Sequence, residues 1–288
     1  MKDINIKHFS DLHFNKKFDL KILDNILKII SDGKTNYICF TGDLLDTSDF
    51  LKNEIRLKNV LIDWFKTLGS CATVIVALGN HDVLGKKRRI QNSGYDFEFW
   101  DELSNIENVY LLYNNYYEDE NVYICGIFPP IEYYLNASHD EDKNVLIEHL
   151  KQKKKLLENL DSDKLKILLH HSPVYMTDIN VLNYIKEFDL ILSGHMHNGL
   201  ILPIFEKVFP KNKGLVGAYI RPLPKIARGI LDVLYDKKKI KLIISGGIMK
   251  IVLPDSILGY LDYLFPASIE NITFDGNDCS VKTINFKK

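Results

Sequence analysis

Five short apolar runs constrain this sequence most, because each of them stops abruptly at polar residues rich in Asp or His. The clearest run covers residues 73–78, closes at Gly79, and is followed directly by Asn80, His81 and Asp82. A run that is too short for a helix and is closed by Gly predicts a buried strand. Residues just beyond its carboxyl end lie where open α/β sheets bind ligands. The pattern recurs at 6–13, 37–46, 165–171 and 190–197, so we expect five strand ends to meet at one site.

Strands and helices alternate along the first third of the chain, which predicts an α/β fold. Predicted strands at 4–10, 37–41 and 73–78 are separated by residues of helical periodicity at 18–30 and 51–68, the second of which we expect to end at Gly69. No helix is predicted between the strands at 109–113 and 122–128, so part of the sheet should be antiparallel. The other predicted elements are helices at 95–103, 140–160 and 179–188 and strands at 165–169, 190–192, 241–245 and 269–274.

Composition narrows the class of protein. The 288 residues are 46% hydrophobic and contain no obvious linker, so we expect a single domain over 1–288. A net charge of −1 provides no global field for nucleic acid. No stretch approaches the ~20 apolar residues of a membrane span, and the N-terminus has no apolar leader, so a cytoplasmic location is expected. Four widely spaced cysteines predict structural, reduced thiols.

The polar clusters share one kind of chemistry, since they offer carboxylate, amide and imidazole groups without thiols. In chain order they are Asp-x-His at 11–13, Gly-Asp-x-x-Asp at 42–46, Gly-Asn-His-Asp at 79–82, His-Ser-Pro at 171–173 and Gly-His-x-His at 194–197. Such donors suit Mn, Fe, Zn, Co or Ni. Because residues i and i+2 of an extended segment point the same way, we expect Asp11 with His13, and His195 with His197, to reach a common ion.

This set of motifs, in this order, resembles the calcineurin-like metallophosphoesterase superfamily over about residues 4–200, in particular its small bacterial phosphodiesterase-type members. The resemblance implies a four-layer α/β/β/α sandwich with two mixed β-sheets and a site for two transition-metal ions. Manganese is the favoured metal, with Fe, Zn, Co or Ni as alternatives. One ion would be bound by Asp11, His13, Asp43 and His197, and the other by Asp43, Asn80, His171 and His195. Two ions ~3.5–4 Å apart would clamp a phosphate and generate a bridging hydroxide for in-line attack.

His81 and Asp46 receive catalytic roles in the same scheme. His81 would face the leaving-group oxygen and act as a general acid, or stabilise charge in the transition state. Asp46 would orient His81 through its other ring nitrogen, whereas Asp82 is interpreted as structural. At the adjacent histidines we favour His171 over His170, because neighbours on a strand face opposite ways.

The predicted reaction is hydrolysis of a phosphodiester or pyrophosphate. Protein phosphatases of the superfamily carry Gly-Asn-His-Glu in the third motif and an Arg after the second, whereas this chain has Asp82 and the pair Thr47-Ser48. A monoester dianion gains most from a bidentate Arg, so its absence at that position favours a diester. A phosphomonoesterase or a nuclease of the same superfamily is the alternative. A non-catalytic scaffold is the least favoured, since we would expect it to have lost ligands.

Residues 199–240 are predicted to form a basic, apolar, lid-like insertion of loops and short helices. Over 199–250 the chain has eleven Lys or Arg against three Asp or Glu, interspersed with apolar residues such as Phe205 and Val208. This composition is typical of a peripheral membrane contact that presents an anionic, lipid-linked or nucleotide phosphoester; an ordinary basic lid is the alternative. No second basic domain is present that could follow a duplex, so no stable nucleic-acid partner is predicted.

Overall fold

The protein is an α/β sandwich with two six-stranded sheets. The computed structural model describes residues 3–31, 33–84, 97–135, 141–161, 163–206, 208–218, 222–250 and 262–288. The first sheet contains β1 (Ile4–Phe9), β2 (Tyr37–Thr41), β3 (Thr73–Ala77), β4 (Val109–Leu112), β11 (Ala267–Phe274) and β12 (Cys279–Phe286), in the order 12-11-1-2-3-4. The second contains β5 (Asn115–Glu118), β6 (Val122–Gly126), β7 (Leu165–Leu169), β8 (Leu190–Ser193), β9 (Gly229–Tyr235) and β10 (Lys238–Ile244), in the order 5-6-7-8-10-9.

Both sheets are mixed, and each has a parallel centre. Strands β1 to β4 run parallel, as do β6, β7, β8 and β10. Antiparallel strands complete the edges: β11 and β12 in the first sheet, and β5 and β9 in the second. The carboxyl ends of β1, β2 and β3 therefore lie side by side, and so do those of β7 and β8.

Alternating side chains on the strands create four layers. In β2, Tyr37 and Cys39 belong to an apolar core shared with Ile167 and Leu192 of the other sheet, so the two sheets pack face to face. The intervening Ile38 and its neighbours on that face pack instead against helices. The helices are α1 (Lys21–Ile30), α2 (Ile55–Cys71), α3 (Asn80–Val83), α4 (Phe97–Ser104), α5 (Lys143–Gln152) and α6 (Ile179–Ile185). The predicted α/β/β/α sandwich is confirmed.

Several predicted boundaries are wrong, each for a local reason. Gly69 does not end the second helix but lies inside α2, where a Cβ would collide with the Glu107 carbonyl, so this glycine serves close packing. The helix predicted at 140–160 is shorter: α5 ends at Gln152, and a separate 3₁₀ turn follows at Lys154–Leu156. Residues 95, 96 and 140 of the predicted helices lie outside the described residues.

The middle and the end of the chain contain strands that the sequence did not reveal. The segments at 109–113 and 122–128 are not partners, because β4 and β6 belong to different sheets; the antiparallel neighbour of β6 is β5. The predicted lid of loops and short helices includes a true edge strand, β9, which pairs with β10. Three of the four free cysteines are buried in strands, as expected, whereas Cys71 is exposed at the end of α2.

Candidate metal centre

The polar motifs lie at one edge of the molecule, where the carboxyl ends of the two parallel centres meet. Hydrogen bonds connect the motifs directly. The main-chain N–H of Asp11 donates to the Gly42 carbonyl (3.0 Å), which links the ends of β1 and β2. The N–H of His195, after β8, donates to Oδ2 of Asp11 (3.0 Å), which links the second sheet to the first. Five strand ends from two sheets therefore converge as predicted.

Six of the seven candidate ligands form two neighbouring clusters, one of Asp11, His13 and His197 and one of Asp43, His171 and His195. In the first cluster, Oδ1 of Asp11 lies 3.9 Å from Nε2 of His13 and 3.8 Å from Nε2 of His197. In the second, Nε2 of His171 lies 3.1 Å from Nδ1 of His195. A single carboxylate oxygen, Oδ2 of Asp43, is 3.7 Å from Nε2 of His13 and 3.1 Å from Nε2 of His171. Asp43 thus stands between the two clusters.

Unsatisfied buried atoms support a metal at this place. Oδ1 of Asn80, the seventh candidate, is buried without a hydrogen-bond partner among the described residues, and so are both ring nitrogens of His13. Buried polar groups nearly always have a partner, so such atoms call for a ligand. Asn80 directly follows Gly79, where a Cβ would overlap the Asp43 carboxylate. The donors are oxygen and imidazole nitrogen, which fits a borderline or hard transition-metal ion.

Main-chain carbonyls fix the orientation of three imidazoles. Nδ1 of His171 lies 2.6 Å from the Thr41 carbonyl, and Nδ1 of His197 lies 2.8 Å from that of Met249. Nδ1 of His81 is 2.7 Å from the carbonyl of Asp46. A carbonyl only accepts, so each Nδ1 carries a proton and donates, which leaves Nε2 as the nitrogen that could bind a metal or a substrate. This arrangement is typical of metal-binding histidines.

Burial and opposite charges shape the electrostatics of the clusters. Burial disfavours a charged His171, but attraction to Asp43 and a hydrogen bond with it outweigh burial and raise the pKa of His171 to about 9. Burial likewise opposes a charged Asp43, yet His171 and His81 hold the pKa of Asp43 well below its ordinary value. Desolvation keeps the pKa of His13 well below the usual range. The site therefore offers the ionised carboxylate of Asp43 and, in the first cluster, the neutral imidazole of His13.

A family model described as calcineurin-like phosphoesterase matches residues 4–199. The chain belongs to this family. A Campylobacter jejuni protein named as an uncharacterized metallophosphoesterase, Cj0846, is 28% identical over 248 residues, covering 85% of this chain and 54% of the relative. An uncharacterized metallophosphoesterase of Helicobacter pylori is 23% identical over 202 residues, covering 70% and 46%. This calcineurin-like chain spans about half the length of these curated relatives.

The fold has a counterpart among solved structures. The TT1561 protein of Thermus thermophilus superposes with a TM-score of 0.52 and 14% identity, covering 98% of each chain. At that identity the likeness concerns the fold alone. In the described part of the calcineurin-like chain, no helix is both long and apolar enough to cross a bilayer.

The geometric reason given for the paired ligands is wrong, and His195 and His197 lie in different clusters and not at a common ion. Asp11, His13, His195 and His197 are not on extended backbone but have φ values of 55°, 46°, 70° and 46°. Asp43 has a φ of 55° as well. Left-handed backbone costs a non-glycine residue roughly 1–2 kcal/mol and concentrates at functional sites. The motif residues of this calcineurin-like chain therefore meet through strained turns after the strands.

The contact between Asp46 and His81 involves the main chain. The carbonyl of Asp46 accepts from Nδ1 of His81, and Oδ1 of Asp46 lies 3.9 Å from Nδ1 of His13. The main-chain N–H of His81 donates to Oδ1 of Asp43 (2.8 Å). Because one ring nitrogen of His81 also approaches His13 and Asp43, these three residues form a further potential ligand cluster.

Asp82 holds the turn, as predicted, and it does so across two motifs. Its Oδ2 accepts from the N–H groups of Gly79 and Asp43, both at 2.8 Å, while Oδ1 accepts from Leu45 at 2.9 Å. Asp82 is fully buried. It therefore fixes the backbone of the second motif relative to the third.

The choice between the adjacent histidines agrees with the structure. His170 turns away from the clusters: its Nδ1 lies 2.6 Å from the Ser172 carbonyl, and its ring packs edge-on against Tyr133. Burial lowers the pKa of His170 to about 4, so the ring is neutral near pH 7. His171 alone of the pair reaches Asp43.

Two parts of the site escaped the sequence reasoning. Glu141 is buried, and its Oε1 lies 3.3 Å from Nε2 of His195 and accepts from Oγ of Ser172 (3.2 Å). It lies in the acidic run Asp140-Glu141-Asp142, which does not follow an apolar run, so no pattern marks it. The loop after β10 contributes the Met249 carbonyl, and Met249 itself donates its N–H to the main-chain carbonyl of Asp11 (2.9 Å). The run Ser245-Gly246-Gly247 at the end of an apolar strand could have indicated a sixth strand end.

Proposed function

We propose that this protein is a metal-dependent phosphohydrolase that cleaves a phosphodiester or pyrophosphate bond with two transition-metal ions. Family membership implies metal-dependent hydrolysis of a phosphoester. The observation that carries the two-ion proposal is the position of Asp43, whose Oδ2 lies between a histidine of each cluster. One carboxylate between two ligand sets is suited to being shared by two neighbouring ions.

The proposed ligands follow the clusters. Asp11, His13, Asp43 and His197 would hold one ion, and Asp43, Asn80, His171 and His195 the other. Manganese is the proposed metal, with iron, zinc, cobalt and nickel as alternatives. When bound, the ions supply Lewis-acid stabilisation of phosphoryl charge and make water acidic enough to react near neutral pH. Glu141 would keep His195 in position through Nε2, the ring nitrogen that faces away from His171.

His81 is the proposed general acid. Its Nδ1 proton is committed to the Asp46 carbonyl, so only Nε2 can exchange a proton with substrate. The ring is partly exposed, as is that of His197 but not those of the buried His13, His171 and His195, and a substrate could therefore reach it. Protonated at Nε2, His81 would donate to the departing oxygen and prevent an alkoxide from leaving unprotonated.

A diester is favoured over a monoester by the surroundings of the second motif. Thr47 stands where related protein phosphatases place an Arg, and the Ser48 that follows it is fully buried, with its N–H donating to the Leu84 carbonyl (3.1 Å). That position therefore provides no cation for a phosphate dianion. A diester has one charge fewer and a poorer leaving group, which suits two metals and a positioned acid.

Metal analysis and paired substrates test the proposal. We expect the purified protein to bind two metal ions per chain and, with Mn²⁺, to hydrolyse bis-p-nitrophenyl phosphate with a higher kcat/KM than p-nitrophenyl phosphate. A preference for the monoester would favour the phosphomonoesterase alternative, and cleavage of DNA or RNA at a higher efficiency would favour a nuclease. Unchanged activity after chelation would contradict metal dependence, and a metal-loaded protein without hydrolysis of any phosphoester would indicate a scaffold.

A further inference from the structure

Exposed apolar side chains are concentrated in one short segment of the protein. Five of the large hydrophobic residues described between positions 204 and 223 are exposed: Ile204, Phe205, Val208, Leu215 and Leu223. Ile204 and Val208 are each 78% exposed, and Leu223 is 67% exposed. Single exposed apolar residues are ordinary, whereas a group of them marks an interaction surface. We name the described residues of this region, 203–206, 208–218 and 222–228, the apolar–basic segment.

Hydrogen bonds hold the apolar–basic segment in a defined shape. A 3₁₀ turn at Pro203–Phe205 presents Ile204, and the N–H of Leu223 donates to the Leu215 carbonyl (2.9 Å), so those two residues lie side by side. The guanidinium of Arg228 joins the two parts by donating to the carbonyls of Lys213 (3.2 Å) and Glu206 (3.3 Å). The exposed side chains therefore project from a braced surface.

The apolar–basic segment adjoins the candidate metal centre. The N–H groups of Leu215 and Val216 donate to the carbonyl of Gly199, which is two residues beyond His197, at 2.8 and 3.1 Å. The side-chain amide of Asn198 donates to the Glu206 carboxylate (2.8 Å). A surface that binds this segment would therefore lie next to the proposed site of hydrolysis.

Charge identifies the partner. Within 203–228 the sequence has six Lys or Arg and a single acid, Glu206, whose carboxylate is bound by Asn198. Lys211, Lys213 and Lys225 are exposed and form no ion pair within the described residues. The other lysines of the predicted basic lid are at the far end of β10. That end is roughly 20 Å from the apolar–basic segment, because a strand rises ~3.3 Å per residue. There Lys238 pairs with Asp189 and Lys239 pairs with Asp232. Three lysines without an ion pair among the described residues thus lie with the exposed apolar side chains.

We propose that the apolar–basic segment docks the protein on the surface of an anionic lipid bilayer. Ile204, Val208 and Leu223 enter the interface, and the exposed lysines contact anionic headgroups. Docking there brings headgroup phosphoesters to the metal centre. The inference that such a headgroup is the substrate rests on the proposed function, whereas the docking surface stands on exposure and charge alone.

Vesicle binding of the full chain tests the docking surface. We expect the protein to cosediment with vesicles made of equal parts phosphatidylglycerol and phosphatidylcholine, to bind pure phosphatidylcholine far less, and to be released by salt. The triple variant Ile204→Ser/Val208→Ser/Leu223→Ser should bind the anionic vesicles at least about tenfold more weakly, since each lost side chain removes apolar burial. Its hydrolysis of bis-p-nitrophenyl phosphate should remain unchanged.

Matched variants keep the test decisive. The control Ile55→Ser/Ile179→Ser/Leu234→Ser removes three aliphatic side chains of similar exposure elsewhere and should bind like the wild type. Reversal of charge at Lys211, Lys213 and Lys225 to Glu should abolish the preference for anionic vesicles. Equal binding by the first triple variant and its control would overturn the proposal. The proposal would also be overturned if light scattering showed that the wild type is a dimer and the first triple variant is a monomer, because the apolar side chains would then bind a second copy of the chain. Vesicle binding by a protein without phosphoesterase activity would refute the proposed function and leave the docking surface supported.

Discussion

Replacement of His81 by Asn is expected to separate metal binding from turnover. The main-chain N–H of His81 donates to Asp43 (2.8 Å), and any residue except proline at this position retains that bond. Asp43 should therefore keep its position and the metals should remain. What the substitution removes is the partly exposed ring, which is anchored 2.7 Å from the Asp46 carbonyl and packs edge-on against His13 at 4.7 Å.

The expected loss follows from the role of a general acid. A positioned acid contributes about 10²–10⁴ in rate, or roughly 2.7–5.5 kcal/mol of transition-state free energy. The loss in kcat should be greatest for a diester with an alkyl leaving group and smaller for bis-p-nitrophenyl phosphate, because nitrophenolate leaves without a proton. Steady-state kinetics with both substrates, together with metal content by mass spectrometry, measure the two effects. Asp46→Asn serves as a comparison, since it retains the carbonyl that anchors His81, and should lose less than His81→Asn.

Two results would refute this reasoning. If His81→Asn lost one metal equivalent, His81 would be a ligand in the cluster with His13 and Asp43. If kcat fell equally for both leaving groups, His81 would stabilise charge and would not donate a proton.

Three further predictions concern the neighbours of the metals. Asp43→Ala should remove both ions and activity together, because its Oδ2 approaches a histidine of each cluster; one retained ion by metal analysis would contradict a shared ligand. Glu141→Gln should weaken one of the two metal affinities about 10- to 100-fold by calorimetry, since Glu141 contacts His195; two unchanged affinities would exclude this role. In metal-free protein, the pKa of about 9 for His171 stabilises the fold below pH ~6.5, and this contribution is lost as the pH rises through 9. Burial lowers the pKa of Lys250 to about 7, so the contribution of Lys250 to stability rises with pH and opposes that of His171. The test is therefore the difference in the free energy of unfolding between wild type and His171→Gln. That difference should shrink with rising pH, and a constant difference would contradict the raised pKa.

The first half of the fold and the residues of the site were predictable because their signals are local. An apolar run that stops at Gly and polar residues needs only neighbouring positions to be recognised, and β2 was predicted to the residue. The parallel order of β1, β2 and β3 then follows from the helices between them. Since carboxyl ends of parallel strands share an edge, the meeting of Asp11, Asp43 and Asn80 required no knowledge of tertiary contacts.

What remained hidden depends on contacts between distant parts of the chain. The strands β5, β9 and β12 are edge strands with one exposed face and several polar residues, so they lack the continuous apolar signal of a central strand. Glu141 gains its importance only from its approach to His195, 54 positions later in the sequence. The basic lid likewise contains lysines that pair with acids, such as Lys238 and Lys239, and lysines that form no ion pair within the described residues. Only the tertiary structure shows that β10 separates the two groups.

The anchoring of imidazoles by Thr41, Asp46 and Met249 through their carbonyls has a consequence for sequence divergence. Every amino acid has a carbonyl, so replacement of these three side chains leaves the anchors intact as long as the backbone keeps its path. Homologous chains can therefore drift at these positions while their histidines stay aligned. An insertion or deletion that shifts the loop after β10 would misalign His197 at once, even with all the histidines and carboxylates retained. In this architecture, changes of loop length are more damaging than changes of residue type.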